Sequence, residues 1–248
     1  MARAALPGRL NWQQVSVAEL IPETQRTVSL VLAHPDWAGH LPGQHVDVRL
    51  TAPDGYQAQR SYSIASAPED DVLVLTVERL EDGEVSSYLA GELRAGDQLE
   101  LRGPIGGYFV WEPLVVGPVL LVAGGSGIVP FRSMLRHRAA IGSSVAVRLI
   151  YSSRSLDDVI YREELMRFAA DDKLDVRLAL TREWPQDWQG HRGRIDRQLL
   201  DEVSWSPKER PLILICGPTG FVESVADTLV QSGHTPDLIR TERFGPTG

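Results

Sequence analysis

Cysteine is almost missing from this chain: Cys216 is the only one in 248 residues. That excludes a disulfide framework, a zinc site built from several thiolates, and any cluster held by four thiolates of this chain. No metal site is expected. Long apolar runs are missing as well. Nothing approaches the roughly 18 consecutive apolar residues that a membrane-crossing helix needs. The opening MARAALPGRL lacks the apolar core of a secretory signal. We therefore expect a cytoplasmic protein with no membrane partner. Positive charge is also short, with 25 Lys and Arg against 33 Asp and Glu, a net charge of −8. Such a balance argues against nucleic acid as a partner, because a broad basic surface is what binds it tightly. A local basic patch for one phosphate-bearing ligand is still compatible with it. The remaining composition is that of a globular chain, long enough for one or two domains with cores of their own.

Two halves follow different patterns. Residues 12–20, 27–34, 44–51, 59–66, 71–80 and 97–104 alternate or run apolar, are rich in Val, Leu and Thr, and are separated by turn residues. Six short strands at this spacing predict a closed antiparallel barrel. Within that half only 84–93, EVSSYLAGEL, has a helical pattern, with Gly83 before it. From about residue 115 strands and helices alternate. Apolar runs at 118–124, 145–152, 174–181, 211–217 and 238–243 are interleaved with helical stretches at 130–141, 156–170, 195–203 and 221–233. This alternation predicts a parallel five-stranded sheet with crossover helices, a Rossmann-like α/β domain. We place the boundary near Glu112–Gly117, where WEPLVVGP carries two prolines and a glycine. The expected domains are 1–112 and 113–248.

Two glycine-rich turns stand out in the second half. Gly124-Gly125-Ser126-Gly127-Ile128-Val129-Pro130 follows a strand and opens a helix. Small residues there let a ligand approach the backbone, and the start of the helix favours a phosphate. Pro130 suits a first helical turn. The spacing is not GxGxxG, so the usual dinucleotide fingerprint is missing. Gly217-Pro218-Thr219-Gly220 follows the next-to-last strand in the same way. Ligands of open α/β sheets bind beyond the carboxyl ends of the strands, where both turns fall. A lone Cys such as Cys216 is by itself most simply a small buried hydrophobe. In the barrel half, Arg60-Ser61-Tyr62-Ser63 interrupts an apolar strand. Arginine can pair with a phosphate, a tyrosine ring can stack on a planar ligand, and serine can bond a ring nitrogen. The same four residues also suit an edge strand with polar side chains facing water.

Taken together and in order, RSYSIASAP, Gly83-Glu84-Val85-Ser86, GPIGGYF, AGGSGIVPFRSML and CGPTGFVESV resemble the ferredoxin–NADP reductase family of flavoproteins, over about residues 12–244. The resemblance implies FAD on the barrel and a pyridine nucleotide on the α/β domain. It implies that Arg60 binds the flavin pyrophosphate, that Tyr62 stacks on the flavin ring and that Ser63 reaches its N5 edge. Gly83, Val85 and Ser86 would hold the flavin phosphates. Gly124, Gly127 and Pro130 would line the nicotinamide pocket, with Gly217 and Thr219 at the last nucleotide turn. Cys216 matches the family cysteine beside the nicotinamide, and Glu242 resembles the acidic residue near the flavin. Ser63, Cys216 and Glu242 are thus the expected catalytic residues.

The chain departs from the plant-type pattern at its end, where ERFGPTG offers no terminal tyrosine and Phe244 is the candidate to cover the ring. The second α/β strand ends in Ser153 and Arg154 rather than an acid that would grip a ribose. Thr181-Arg182-Glu183 resembles the segment that holds the nucleotide 2′-phosphate, and Arg192 and Arg194 lie near it in sequence. NADP is therefore expected over NAD. The implied activity is a flavin-dependent NAD(P)H reductase. Electrons would pass from NADPH through FAD to a separate acceptor, such as ferredoxin or an iron–sulfur or monooxygenase component, since no cysteine-rich segment is present. Two alternatives stand beside it: a flavin reductase or diaphorase with a small-molecule acceptor, and a non-enzymatic nucleotide-binding regulatory subunit.

Overall fold

The computed structural model describes residues 10–111, 117–170 and 173–245. The boundary region falls largely on residues 112–116, outside the described residues.

The first half is a six-stranded antiparallel sheet of β1 (Gln13–Thr24), β2 (Thr27–Ala33), β3 (His45–Thr51), β4 (Gln57–Ser63), β5 (Leu73–Glu78) and β6 (Gln98–Ile105). Its order is β4-β3-β6-β1-β2-β5. The two end strands meet through a bridge between Ile64 and Leu75, and this closes the barrel. Closure removes the exposed edges that invite pairing with other chains. Alternation directs Val46, Val48, Leu30, Leu75, Leu99 and Leu101 inward, where water barely reaches them. Full burial of such a side chain stabilises by about 1.5–3 kcal/mol. The helix α1 (Glu84–Gly91) plugs one end, with Val85 and Leu89 in the same core.

The second half is a parallel sheet of β7 (Val119–Gly124), β8 (Val147–Ser153), β9 (Leu174–Leu180), β10 (His191–Arg192), β11 (Leu212–Pro218) and β12 (Ile239–Phe244), in the order β10-β9-β8-β7-β11-β12. It has six strands, not five. The additional strand is the two-residue β10, which pairs with Ala179 and Leu180 of β9. It is too short to show a pattern in the sequence. Helices α2 (Val129–Ala140), α3 (Arg162–Phe168), α4 (Arg197–Val203) and α5 (Thr219–Gln231) connect the strands. The order reverses between β7 and β11, so a crevice opens beyond the carboxyl ends of these two strands. Both glycine turns sit at that crevice.

The expected helix over 156–170 is half as long. Residues 156–161 form turns, Tyr161 takes a left-handed backbone (φ 59), and only Arg162–Phe168 is helical. Leu156, Val159 and Ile160 mimic helical spacing, yet they reach the core from turns. Tyr161 is held there by its own contact: its hydroxyl donates to Thr76 Oγ1 on β5 of the barrel.

Candidate functional site

Two registers bring four side chains to one point. In the barrel, β3 and β4 pair His45 with Ser63. In the α/β half, β11 and β12 pair Cys216 with Glu242. The two pairs face each other across the seam. The Ser63 hydroxyl lies close enough to the Glu242 carboxyl to favour its ionised form. The Cys216 thiol donates to Glu242 Oε2 at 3.8 Å. His45 Nδ1 lies 4.0 Å from Glu242 Oε1. Burial dominates the electrostatics here. It pushes the Glu242 carboxyl up to about 7, against the opposing pull of the Cys216 hydrogen bond and the nearby Ser63 hydroxyl. Burial, reinforced by Glu242, raises the Cys216 thiol well above its ordinary value. It also lowers the His45 imidazole, which Asp47 only partly offsets. His45 and Cys216 are therefore neutral near pH 7, and Glu242 is close to half-ionised.

A cavity of about 210 Å³ opens at Pro218 and Phe244, two residues beyond Cys216 and Glu242 on their strands; none of the four cluster residues lines it. Gly124, Ser153, Arg154, Thr181 and Phe244 line it from the α/β half. Arg26 and Glu78 reach it from the barrel. Phe221 forms part of the wall, and a Cβ at Gly124 would come within 3.0 Å of its ring. A Cβ there would force the Phe221 ring to give by a few tenths of an ångström. Gly127 is much more tightly constrained, since a Cβ would run into the Cys216 carbonyl. This close approach packs the turn against the end of β11. Pro130 is buried in the first turn of α2. Gly217 lies beneath Phe221, and Thr219 begins α5. Ser153 is buried, and its carbonyl accepts from both Thr181 N–H and Oγ1. Arg182 lies one residue past Thr181, exposed, with its N–H on the Arg154 carbonyl. It is not among the residues lining the cavity. Arg192 is occupied nearby, donating to the Trp188 carbonyl at 2.9 Å.

On the barrel, Arg60 is exposed and donates to the Gln59 carbonyl at 2.7 Å. Tyr62 packs against the barrel core, and burial pushes its hydroxyl up to about 12. Gly83 precedes α1 with no side-chain cap on the helix start. Val85 points into the core. Ser86 Oγ is engaged with Leu80 N–H and the Gly83 carbonyl, each at 3.2 Å. The start of α1 thus presents backbone N–H groups rather than side chains.

His45, Arg26, Glu78 and Phe221 were not singled out from the sequence. For the first three the signal lies in strand register and inter-domain packing, which no local motif carries. Phe221 stood inside CGPTGF but looked like an ordinary helical apolar residue.

Comparison with known proteins agrees with this geometry. Residues 13–110 match the family model of an oxidoreductase FAD-binding domain, and residues 121–227 that of an oxidoreductase NAD-binding domain. Ferredoxin–NADP reductase B of Sorangium cellulosum is 35% identical over 191 residues, covering 75% of this chain and 77% of that protein. The glycine betaine monooxygenase reductase subunit of Pseudomonas aeruginosa is 32% identical over 238 residues, or 94% of this chain. This chain spans 64% of that relative's length. The crystal structure of a cytochrome P450 reductase from Amycolatopsis superposes with a TM-score of 0.85 at 25% identity, over 98% of this chain and 73% of that one. The chain belongs to the ferredoxin–NADP reductase family of FAD- and NAD-binding oxidoreductases.

Proposed function

We propose that this protein is a flavin-dependent NAD(P)H reductase that passes electrons to a separate redox protein. The observation that carries it is the convergence of Ser63 from the barrel with Cys216 and Glu242 from the parallel sheet, on the two strands whose ends, Pro218 and Phe244, line a cavity at the topological switch point. We divide the chain near residue 112 into a flavin half and a nucleotide half.

The residues present fit FAD. Arg60 offers an exposed guanidinium, and α1 starts without a side-chain cap; both are donors of the kind that suits a pyrophosphate. Arg60, with the backbone at Gly83, Val85 and Ser86, would hold the phosphates. Tyr62 would stack on the ring, with Ser63 at its edge. When bound, the flavin supplies hydride acceptance from a nicotinamide and release of electrons singly or in pairs. The chain's own part is to align, to exclude water and to manage protons. Gly124 and Gly127 leave room for a nicotinamide, and Phe221 and Phe244 wall off solvent. Pro130, Gly217 and Thr219 would shape the two turns around the nucleotide. The Glu242 carboxyl holds a proton below about pH 7, with the Ser63 hydroxyl close by.

For the donor we favour NADPH, on Ser153, Arg154 and Thr181 at the ends of β8 and β9, with Arg182 just beyond. A second reading, NADH, draws on Glu78 and Asp158, two carboxylates in the same cavity that oppose a 2′-phosphate. The names of the relatives suggest ferredoxin or an oxygenase component as acceptor. We place the protein in the cytoplasm, where reduced pyridine nucleotide is available; among the described residues no helix is long and apolar enough to cross a membrane. The test is a titration of purified protein with FAD, followed by anaerobic NADPH or NADH. We expect a yellow protein that bleaches, and faster with NADPH. A protein that binds neither ligand would overturn the proposal.

A further inference from the structure

The two halves touch through an apolar seam and a polar one. The apolar part joins Ala65, Val74 and Phe109 of the first half to Phe131 and Met134 of α2. Such contact gives adhesion but little direction. The polar part is directional; Tyr161 reaches Thr76, and Arg240 and Tyr108 bond across it, but one helix builds its densest network. Arg132, Ser133, Arg136 and His137 share one face of α2. Opposite them runs the segment 64–70, which continues β4.

The bonds are specific. Arg136 makes a two-pronged contact with Asp70, at 2.9 and 2.6 Å. Its third nitrogen donates to Glu164 Oε1 at 2.6 Å. The other Glu164 oxygen takes Arg132 Nε at 2.6 Å. Arg132 in turn donates to the Ala65 carbonyl at 3.2 Å, and Ser133 Oγ to the Ser66 carbonyl at 2.7 Å. His137 meets Glu69 at 2.7 Å. Burial would raise Asp70, yet Arg136 and the Ala67 N–H outweigh it and hold the carboxyl below its usual range.

What lies at the two ends of this chain gives it meaning. Ser63, which lies close to Glu242, is two residues from Ala65. The helix α2 grows directly out of the Gly124–Ile128 turn. The network therefore ties the strand bearing the flavin-side residues to the turn bearing the nicotinamide-side residues. Partly buried ion pairs add little net stability, because desolvation offsets their attraction, but bidentate geometry fixes orientation.

We propose that Asp70, Arg136, Glu164 and Arg132 are positioning residues that set the spacing between the flavin and the nicotinamide. The inference rests on the proposed function above. Hydride transfer is steep in distance: a misplacement of about 1 Å can cost about 100-fold in rate.

The experiment uses FAD-loaded protein carrying Asp70→Asn, Arg136→Lys, or both. Asp70→Asn keeps an oxygen for the Ala67 N–H while deleting the charge. With saturating NADPH we expect the first-order rate of flavin reduction to fall about 10- to 100-fold. FAD retention and NADP+ affinity should be unchanged. The charge-transfer absorbance formed on mixing with NADPH should weaken. Because the pair acts as a unit, the double variant should be no slower than the slower single one. In flavin-free protein, amide exchange should quicken in 64–70 and 129–140 and not in β2. Unchanged reduction rates with intact flavin would overturn the inference. So would rate losses that multiply, or loss of FAD from both single variants, which would assign the network to the barrel's own stability. The two proposals fail differently: wild type that neither nucleotide reduces contradicts the proposed function, whereas reducible wild type matched by its variants contradicts only the positioning role.

Discussion

Replacing Glu242 with Gln removes one titrating group from the centre of the seam while keeping its shape. Burial raises this carboxyl from 4.5 to about 7. The side chain is 24% exposed, so the discount for solvent is modest. A shift of that size corresponds to on the order of 3 kcal/mol. The sign follows from which state gives up its proton first. Below pH 4.5 both folded and unfolded chains hold the proton, and the site costs nothing. Between 4.5 and about 7 the unfolded chain releases it while the folded one keeps it, so stability falls as pH rises. Above that the loss is complete. Other carboxylates titrate over the same range, so the informative quantity is the difference between wild type and Glu242→Gln. Thermal unfolding of flavin-free protein from about pH 4.5 to about pH 8 should show the variant gaining on wild type by on the order of 6–12 °C, taking about 2–4 °C per kcal/mol for a chain of this size. Parallel curves, or wild type gaining with pH, would refute the electrostatic picture of the seam.

Arg60→Ala should weaken FAD binding by about 10- to 150-fold, the loss of one charge-assisted contact worth about 1.5–3 kcal/mol, measured by flavin titration. Arg154→Ala should raise the KM for NADPH and leave that for NADH nearly unchanged, while Arg182→Ala should do less because Arg182 is not among the residues lining the cavity; equal losses for both nucleotides would remove these arginines from the 2′-phosphate site. Gly127→Ala should lower the melting temperature, because its Cβ meets the Cys216 carbonyl and overpacking of this kind costs about 1–3 kcal/mol. The Cys216 thiol, 2% exposed and held protonated, should resist alkylation in folded protein and react readily once denatured.

The strands were legible because both signals are local. Alternation marks the barrel strands, and uninterrupted aliphatic runs, Val and Leu in β7 and Leu and Ile in β11, mark strands buried on both faces. Two things were not legible. The strand β10 owes its existence to pairing with Ala179 and Leu180 rather than to any pattern in His191–Arg192. The stretch 156–161 has apolar residues at helical intervals, yet Tyr161 is drawn across the seam to Thr76 and its left-handed backbone stops a helix from starting earlier. The site divides the same way. Ser63, Cys216 and Glu242 stood out only through motifs spread over the whole chain, since a lone serine, cysteine or glutamate announces nothing. His45 and Arg26 gain their positions from strand register and from the docking of one half on the other. That docking draws on Tyr161, Arg240 and, most densely, on Arg132, Ser133, Arg136 and His137, which along the sequence are merely the polar face of a helix.

The central claim, that flavin and pyridine nucleotide meet at Ser63, Cys216 and Glu242, is tested most directly by anaerobic rapid mixing of FAD-loaded protein with NADPH. Wild type should lose its visible flavin absorbance in a single turnover. Cys216→Ala and Glu242→Ala should retain FAD but be reduced more slowly, by up to about 100-fold, from misplacement of the nicotinamide. Wild-type rates in both variants, with flavin fully bound, would contradict the claim.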